Sequence, residues 1–296
     1  ETLIVTLGTP TYADLGATTA HTLTFNDQPS EYTNPQGQTF NRIAAGTFTM
    51  GSPEGEAGRS FSETEHSVTL SQNFYMQTTE VTQAQWLDAG YTNPSNHNNG
   101  DNNYPVETIN WWEALHYANW LSEQNGLTAC YVITGCGAEA VGADRECTGV
   151  TYQNDSGAVS TPYLCEGYRL PMESEWGYAA RAGTTTAYSF GTSIDGDYAW
   201  YGGNSGSTTH TVAGKTANPW GLYDMHGNVW EWVNDWYATY PGPTTDLTGG
   251  GSGSSRVIRG GSWHFDAQNL RSANRNNNSP GNRNNNIGFR LLLRTP

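Results

Sequence analysis

The sequence predicts an α+β domain rather than a wound sheet of alternating strands and helices. Short stretches of alternating apolar residues near the N-terminus read as strands. Three helix signatures lie between residues 82 and 182. After Gly183 the chain breaks into short apolar pieces separated by Gly, Asn and Thr. Helical signatures followed by irregular strand-like pieces, with no regular strand–helix alternation, favour segregated helices and antiparallel strands.

In order along the chain, Leu3, Val5 and Leu7 alternate before a Thr-, Asn- and Pro-containing stretch. Residues 1–39 therefore read as one or two strands and an arm, set apart from a domain over 40–296. Phe40 to Met50 alternates as a strand and ends in a Gly-Ser-Pro-Glu turn. Ser67 to Tyr75 is a further strand. A first helix runs from Thr82 to about Ala89: Thr82 and Gln85 have the spacing of a capping box, and Gly90 stops the helix. A second follows Asn110, with Glu113 three residues on and Trp112, Leu115, Ala118 and Leu121 at helical spacing. A third starts near Pro171 and runs to Ala182, with Gly183 at its C-terminal cap and Trp176 and Ala180 on one face. Asp246 to Ser255 reads as a Gly/Ser/Thr loop. There is no fixed-period repeat.

Composition narrows the function. The formal net charge is −15, and Lys215 is the sole lysine. Phosphate neutralisation is unfavourable for such a chain, which argues against nucleic acid and against an anionic membrane surface. The 11 Trp and 17 Tyr can fill a core, so disorder is not expected despite only 14% charged residues and 35 Gly. No apolar run is long enough to cross a bilayer. The start at Glu1, without Met, reads as processed, and a lipid anchor upstream would be compatible with it. Cys130, Cys136, Cys147 and Cys165 share one Gly/Thr-rich stretch, with no close Cys-x-x-Cys pair and no His among them. Local disulfides stapling an insertion at 129–166 fit better than zinc, and imply an extracytoplasmic site, secreted or on the cell surface. Three pairings are open, among them the nested one, Cys136 with Cys147 inside Cys130 with Cys165.

Residues 260–290 are the most informative segment. Trp263, Leu270, Ala273, Ile287 and Phe289 read as buried anchors. Between them stand His264, Phe265, Asp266, Gln268, Asn269, Asn274, Asn276, Asn277, Asn278, Asn284, Asn285 and Asn286. Asn disfavours strands and favours turns. The pattern implies a polar surface on a rigid base, with a solvated, functionless Asn loop as the bland alternative.

Several phrases, in order, resemble one family. Phe48-Thr49-Met50-Gly51-Ser52 is followed by Glu80-Val81-Thr82-Gln83-Ala84-Gln85-Trp86 and by Tyr168-Arg169-Leu170-Pro171. Then come Trp220-Gly221-Leu222-Tyr223-Asp224-Met225-His226-Gly227-Asn228-Val229-Trp230-Glu231-Trp232, Arg259-Gly260-Gly261-Ser262-Trp263 and Ile287-Gly288-Phe289-Arg290. Over about residues 40–294 the chain resembles the formylglycine-generating-enzyme (sulfatase-modifying-factor) domain. The resemblance implies an elaborated C-type-lectin fold: a small antiparallel sheet, flanking helices and much irregular chain.

The family's enzyme oxidises a substrate cysteine, using copper held by two cysteines shortly after Gly-Gly-Ser-aromatic. Here that stretch reads His264-Phe265-Asp266-Ala267-Gln268-Asn269-Leu270, and no cysteine follows Cys165. Thiolates select Cu(I), so no copper and no formylglycine chemistry are expected. His226 and His264 read as surface or loop residues rather than ligands. The Asn-rich segment instead resembles the variable region of diversity-generating-retroelement proteins, where template adenines are mutated and copied into the gene's 3′ end. Substituted AAY codons for Asn can yield His264, Phe265 and Asp266, but not Gln268. Trp263, Ala267, Leu270, Arg271, Arg275, Ile287 and Phe289 would stay fixed.

The family also binds a structural calcium. Carried over by position, Asp224 and Glu231 would supply carboxylates, and Gly227 and Val229 carbonyl oxygens, a hard-oxygen set suited to Ca²⁺. The alternative is that Glu231 serves backbone amides without an ion. The favoured function is a non-catalytic protein binding a protein or another macromolecule through a diversified surface. The alternatives are an extracytoplasmic enzyme or maturation factor without the copper cysteines, and a plain structural module.

Overall fold

The computed structural model describes residues 28–98 and 100–294. The alternation at Leu3, Val5 and Leu7 lies outside the described residues. The chain divides into compact units at 1–30 and 31–296, and the second holds all the strands and helices of the described residues.

Small sheets and three helices make up this α+β unit. One sheet joins β1 (Glu31–Thr33), β2 (Thr39–Ile43), β5 (Phe74–Gln77) and the C-terminal β14 (Leu292–Arg294), all antiparallel. Residues 31–39, which the sequence assigns to an arm, therefore begin the domain. Tyr32 at the centre of β1 packs its ring against Phe40 and Tyr75, which fastens the strand to the core. A second sheet pairs β3 (Gly46–Met50) with β4 (His66–Leu70). The expected single strands at 40–50 and 67–75 are thus each divided in two, and their halves serve different sheets. A two-residue alternation cannot reveal a change of sheet, because the pattern continues through the bend.

All three helices form. α1 (Gln83–Asp88) has Thr82 and Gln85 closing the capping box, and α2 (Trp111–Gln124) has Asn110 and Glu113 doing the same. α3 (Glu173–Arg181) begins two residues after Pro171 and ends with Ala182 in the left-handed region. Both Trp176 and Ala180 are fully buried. The insertion forms its own antiparallel sheet of β6 (Tyr131–Thr134), β7 (Gly149–Asn154) and β8 (Gly157–Val159). Its disulfides are nested, Cys130–Cys165 outside Cys136–Cys147.

The last sheet positions the candidate site. Its strands are β9 (Trp230–Trp236), β11 (Arg256–Arg259), β12 (Arg275–Asn278) and β13 (Ile287–Gly288), in the order β12-β11-β9-β13. The short β10 (Thr244–Thr245) runs parallel to β4. The main core joins Trp86, Trp111, Tyr117, Trp230, Trp232 and Phe289. Among the described residues, no helix is long and apolar enough to cross a membrane.

Candidate functional site

The segment 260–290 leaves β11 through a turn that only glycine accommodates. Gly260 and Gly261 have φ of +97° and +76°. A Cβ at Gly261 would meet the Leu270 side chain at 2.7 Å and the Asn269 carbonyl at 2.9 Å. The chain therefore doubles back tightly, and Leu270 seals the turn from inside with no exposed surface.

Beyond it, anchors and displayed residues separate as the sequence predicts. Trp263, Leu270, Ala273, Ile287 and Phe289 are buried. His264, Asp266, Gln268, Asn276, Asn277 and Asn284 are exposed, and Phe265, Asn269, Asn274, Asn278, Asn285 and Asn286 are half-buried. Trp263 is the hub at one end: its indole N–H donates to the Asn285 carbonyl at 3.2 Å, and its ring meets His97 and His264 edge-on. Asn286 Nδ2 lies 3.4 Å from Ser262 Oγ, and the Asn286 carbonyl accepts from the Trp230 amide at 2.8 Å. Phe265 sets its ring edge-on to Trp230 and touches Leu270's cluster. So His264, Phe265, Asn285 and Asn286 are brought together.

Asn276, Asn277 and Asn278 are not part of that group. They occupy edge strand β12, and the sheet order puts β11 and β9 between them and β13. The expectation of one shared surface is thereby divided into two regions. The linking loop runs past the N-terminus of α2, where the Trp111 amide donates to the Pro280 carbonyl and the Thr108 amide to the Asn284 carbonyl.

What the sequence did not reveal is how this backbone is held. Arg271 forms paired 2.8 Å bonds to Glu63, a 2.5 Å contact with Glu56, and a 2.6 Å bond to the Gly58 carbonyl. Burial raises the Glu63 carboxyl, but hydrogen bonds from Arg271 and Ser52 outweigh it and hold the group below its ordinary range. Arg275 pairs with Glu173 through Nε and Nη2, and lies over the Tyr240 ring at 4.1 Å. Arg259 donates to the Ser272, Ala273 and Asn274 carbonyls. The carboxylate partners of Arg271 and Arg275 lie between 102 and 215 residues upstream, so no local signal marks them. A cavity of about 520 Å³ opens beside Gln268, lined also by Pro53, Ala57, Thr186, Tyr188 and Arg271. It too was invisible in sequence.

The calcium set fits in part. Glu231 serves neither backbone amides nor a free site: Arg290 pairs with both its oxygens, at 2.8 and 2.7 Å, and the Trp176 indole donates at 2.7 Å. The guanidinium thus stands where a cation's charge would be needed. Asp224, with φ +58°, accepts from the Ala213 amide at 2.7 Å. Beside it Glu80 is fully buried, and neither of its oxygens receives a hydrogen bond from a donor group. Burial raises both carboxyls, Asp224 to about 6, and their mutual repulsion raises Glu80 further. Glu80, Asp224 and Glu231 together exceed the single charge of Arg290, leaving a demand that either a proton or a cation can meet.

His226 lies in a turn, one of the two places expected of it, but is not at the surface. It is buried, with Nδ1 2.7 Å from the Leu270 carbonyl and Nε2 3.0 Å from Ser189 Oγ. Burial lowers its pKa to about 4. It ties the 224–232 segment to the turn that Leu270 seals. His264 is exposed, as expected. All four cysteines are in disulfides.

The model of the sulfatase-modifying factor enzyme 1-like domain matches residues 25–295. The structure is similar to Treponema denticola variable protein 1, with 34% identity, a TM-score of 0.76, and coverage of 90% of this chain and 100% of that one. In sequence the chain is 31% identical to the chaperone protein LppX of Paenibacillus barcinonensis over 68% of this chain and 73% of that protein. It is 28% identical to the formylglycine-generating enzyme of Streptomyces coelicolor over 84% and 87%. The expected fold, an elaborated C-type lectin, is the one these neighbours share.

Proposed function

The chain belongs to the sulfatase-modifying-factor (formylglycine-generating-enzyme) family, and from that premise we propose that it is a non-catalytic ligand-binding protein whose segment 260–290 is diversified by a retroelement. The observation that carries this reading is the separation along one segment. None of the candidate positions from His264 to Asn286 is buried, whereas the anchors between them are buried and Arg271 and Arg275 are ion-paired to distant elements. Side chains can change on such a base without moving it. The likeness to a variable protein supports the same reading. The ligand is a protein or another macromolecule. Phe265 supplies an apolar anchor, and Asp266 with the amides supplies adaptable polar contacts. The disulfides fit an extracytoplasmic compartment, and an upstream lipid anchor would place the protein on a cell surface.

Deep sequencing of the gene's 3′ end and its flanks in a growing population tests the proposal. Substitutions confined to template adenines, with a near-copy of the segment beside a reverse transcriptase gene, are expected. An invariant 3′ end without a near-copy refutes diversification. The relation to formylglycine-generating enzymes favours a second reading, an enzyme or maturation factor acting without the copper cysteines. Stoichiometric redox metal in the purified protein together with turnover would decide for it.

A structural calcium at Asp224, Gly227, Val229 and Glu231 is a separate proposal. The fully buried carboxyl of Glu80 beside Asp224, with no donor group at either oxygen, supports it, and the Arg290–Glu231 pair opposes it. Calcium should raise the melting temperature of the chelator-treated protein at neutral pH. No shift means that protons, not calcium, neutralise the cluster.

A further inference from the structure

We propose that reduction of the Cys136–Cys147 disulfide converts the tip of the β6–β7 hairpin into a Cys2His site for a thiophilic divalent cation of the zinc class, with His116 of α2 as the third ligand. By sequence no His lies among the cysteines, yet the fold brings one there. His116 Nε2 is 3.8 Å from Cys136 Sγ and 3.7 Å from Cys147 Sγ. The ligand atoms of these residues all lie within 4.8 Å of one another, and among the described residues no other group of three or more His, Cys, Asp or Glu does so. A zinc ion bonds sulfur at about 2.3 Å and imidazole nitrogen at about 2.0–2.1 Å, so one ion can reach all three after the sulfurs part modestly.

The sulfurs are held together by the backbone as well as by their bond. The β6–β7 register pairs Thr134 with Gly149, and its antiparallel continuation sets residue 136 opposite 147. Beyond the strand ends the Gly137 amide donates to the Glu146 carbonyl in that same register, after a one-residue offset at the bond from the Thr148 amide to the Thr134 carbonyl. Cross-strand partners keep their Cβ atoms about 4.5–5.5 Å apart without a covalent link. The loop is also fastened to the helix bearing His116: Glu113, one turn earlier, accepts from the amides of Gly142, Asp144 and Arg145. Reduction therefore leaves the three ligands assembled.

Access distinguishes the two disulfides. Cys130 and Cys165 have no exposed surface, whereas Cys136 and His116 are half-buried. A dithiol reductant would reach the Cys136–Cys147 bond first. The disulfide takes two electrons and two protons from the dithiol, which becomes a cyclic disulfide. The two thiols then lose two protons as both sulfurs and His116 bind the cation. Solvent would complete the coordination at the open side.

The test uses the whole protein, treated with a dithiol reductant under native conditions, freed of it by desalting, and titrated with Zn²⁺ and with Cd²⁺ as a spectroscopic probe. Thiol counting should find two reactive groups rather than four. One cadmium should bind per chain, with a sulfur-to-metal charge-transfer band, and only after reduction. His116→Asn should weaken binding at least tenfold. Cys136→Ala with Cys147→Ala should abolish it, while keeping the native near-ultraviolet spectrum that shows the fold survives without the bond. Absence of stoichiometric binding by the reduced protein, undiminished binding in His116→Asn, or collapse of the fold on loss of this disulfide each overturns the proposal.

Discussion

Arg271→Ala tests whether the segment 260–290 rests on a buried ionic frame. The guanidinium is 2% exposed and the Glu63 side chain 0%, with paired 2.8 Å contacts between them. An exposed pair of this kind would contribute about 0–1 kcal/mol. Removing one member of a buried pair instead strands the other, at a cost of about 3–5 kcal/mol. Glu56, the second carboxylate, has 9% of its side chain exposed and can turn toward water, so the higher end of the range is not needed. We expect a loss of about 3–4 kcal/mol in urea unfolding followed by Trp fluorescence. The pH dependence should move too. Glu63 is held below its ordinary 4.5 in the fold. Its stabilisation is therefore present above that value and lost as pH falls through the folded pKa. Without Arg271 the carboxyl should take up a proton at higher pH, and acid unfolding should begin earlier. Arg271→Met with Glu63→Gln should recover most of the loss, because no buried charge is stranded. A loss below about 1 kcal/mol for Arg271→Ala refutes the reasoning. A double variant as unstable as the single would assign the loss to packing instead.

Other outcomes rest on the same geometry. Phe289→Ala removes a fully buried ring set against Trp86 and Tyr117 and should cost about 3–5 kcal/mol in the same unfolding assay. Asn276→Ala, on the exposed edge strand, should stay within about 0.5 kcal/mol, and Asn285→Phe should leave the protein folded by circular dichroism. His226 and Asp224 give opposite slopes of stability with pH. The His226 pKa falls from 6.5 to about 4, so its burial destabilises increasingly as pH drops through that window. Asp224 rises from 3.8 to about 6, so its contribution is lost as pH rises through an overlapping window. His226→Gln should flatten the acid side of the stability profile and expose the Asp224 slope, which melting curves from pH 4 to 7 would show.

Local chemistry was legible in the sequence and long-range chemistry was not. Thr82 with Gln85 and Asn110 with Glu113 declare their helices because both members of each capping box lie within one turn. The alternation of anchors and Asn declares which residues of 260–290 face inward, since burial follows residue type. The strand division at 40–50 was hidden because both halves alternate alike. The partners of Arg271, Arg275 and Arg290 were hidden because Glu63, Glu173 and Glu231 lie far away in sequence and carry no motif that names a partner. His226 sits in a turn, as the sequence allows, but its burial was hidden for a related reason: the Leu270 carbonyl and Ser189 that enclose it lie 44 and 37 residues away.

The arginines next to the displayed residues resolve a physical difficulty in the proposed function. A segment that changes its side chains cannot rely on them for its own stability, and Asn contributes little apolar burial. The backbone here is instead fixed from beneath, by guanidinia at 259, 271 and 275 that bond main-chain carbonyls or distant carboxylates. Carbonyls are present whatever residue occupies the position, so bonds such as those from Arg259 to residues 272–274 survive substitution of Asn274. Apolar anchors at Leu270, Ile287 and Phe289 exclude water from the same layer. A frame that bonds the main chain rather than the displayed side chains is what tolerance to sequence change requires. It also explains why the exposed Asn positions should be energetically near neutral while their immediate neighbours are not.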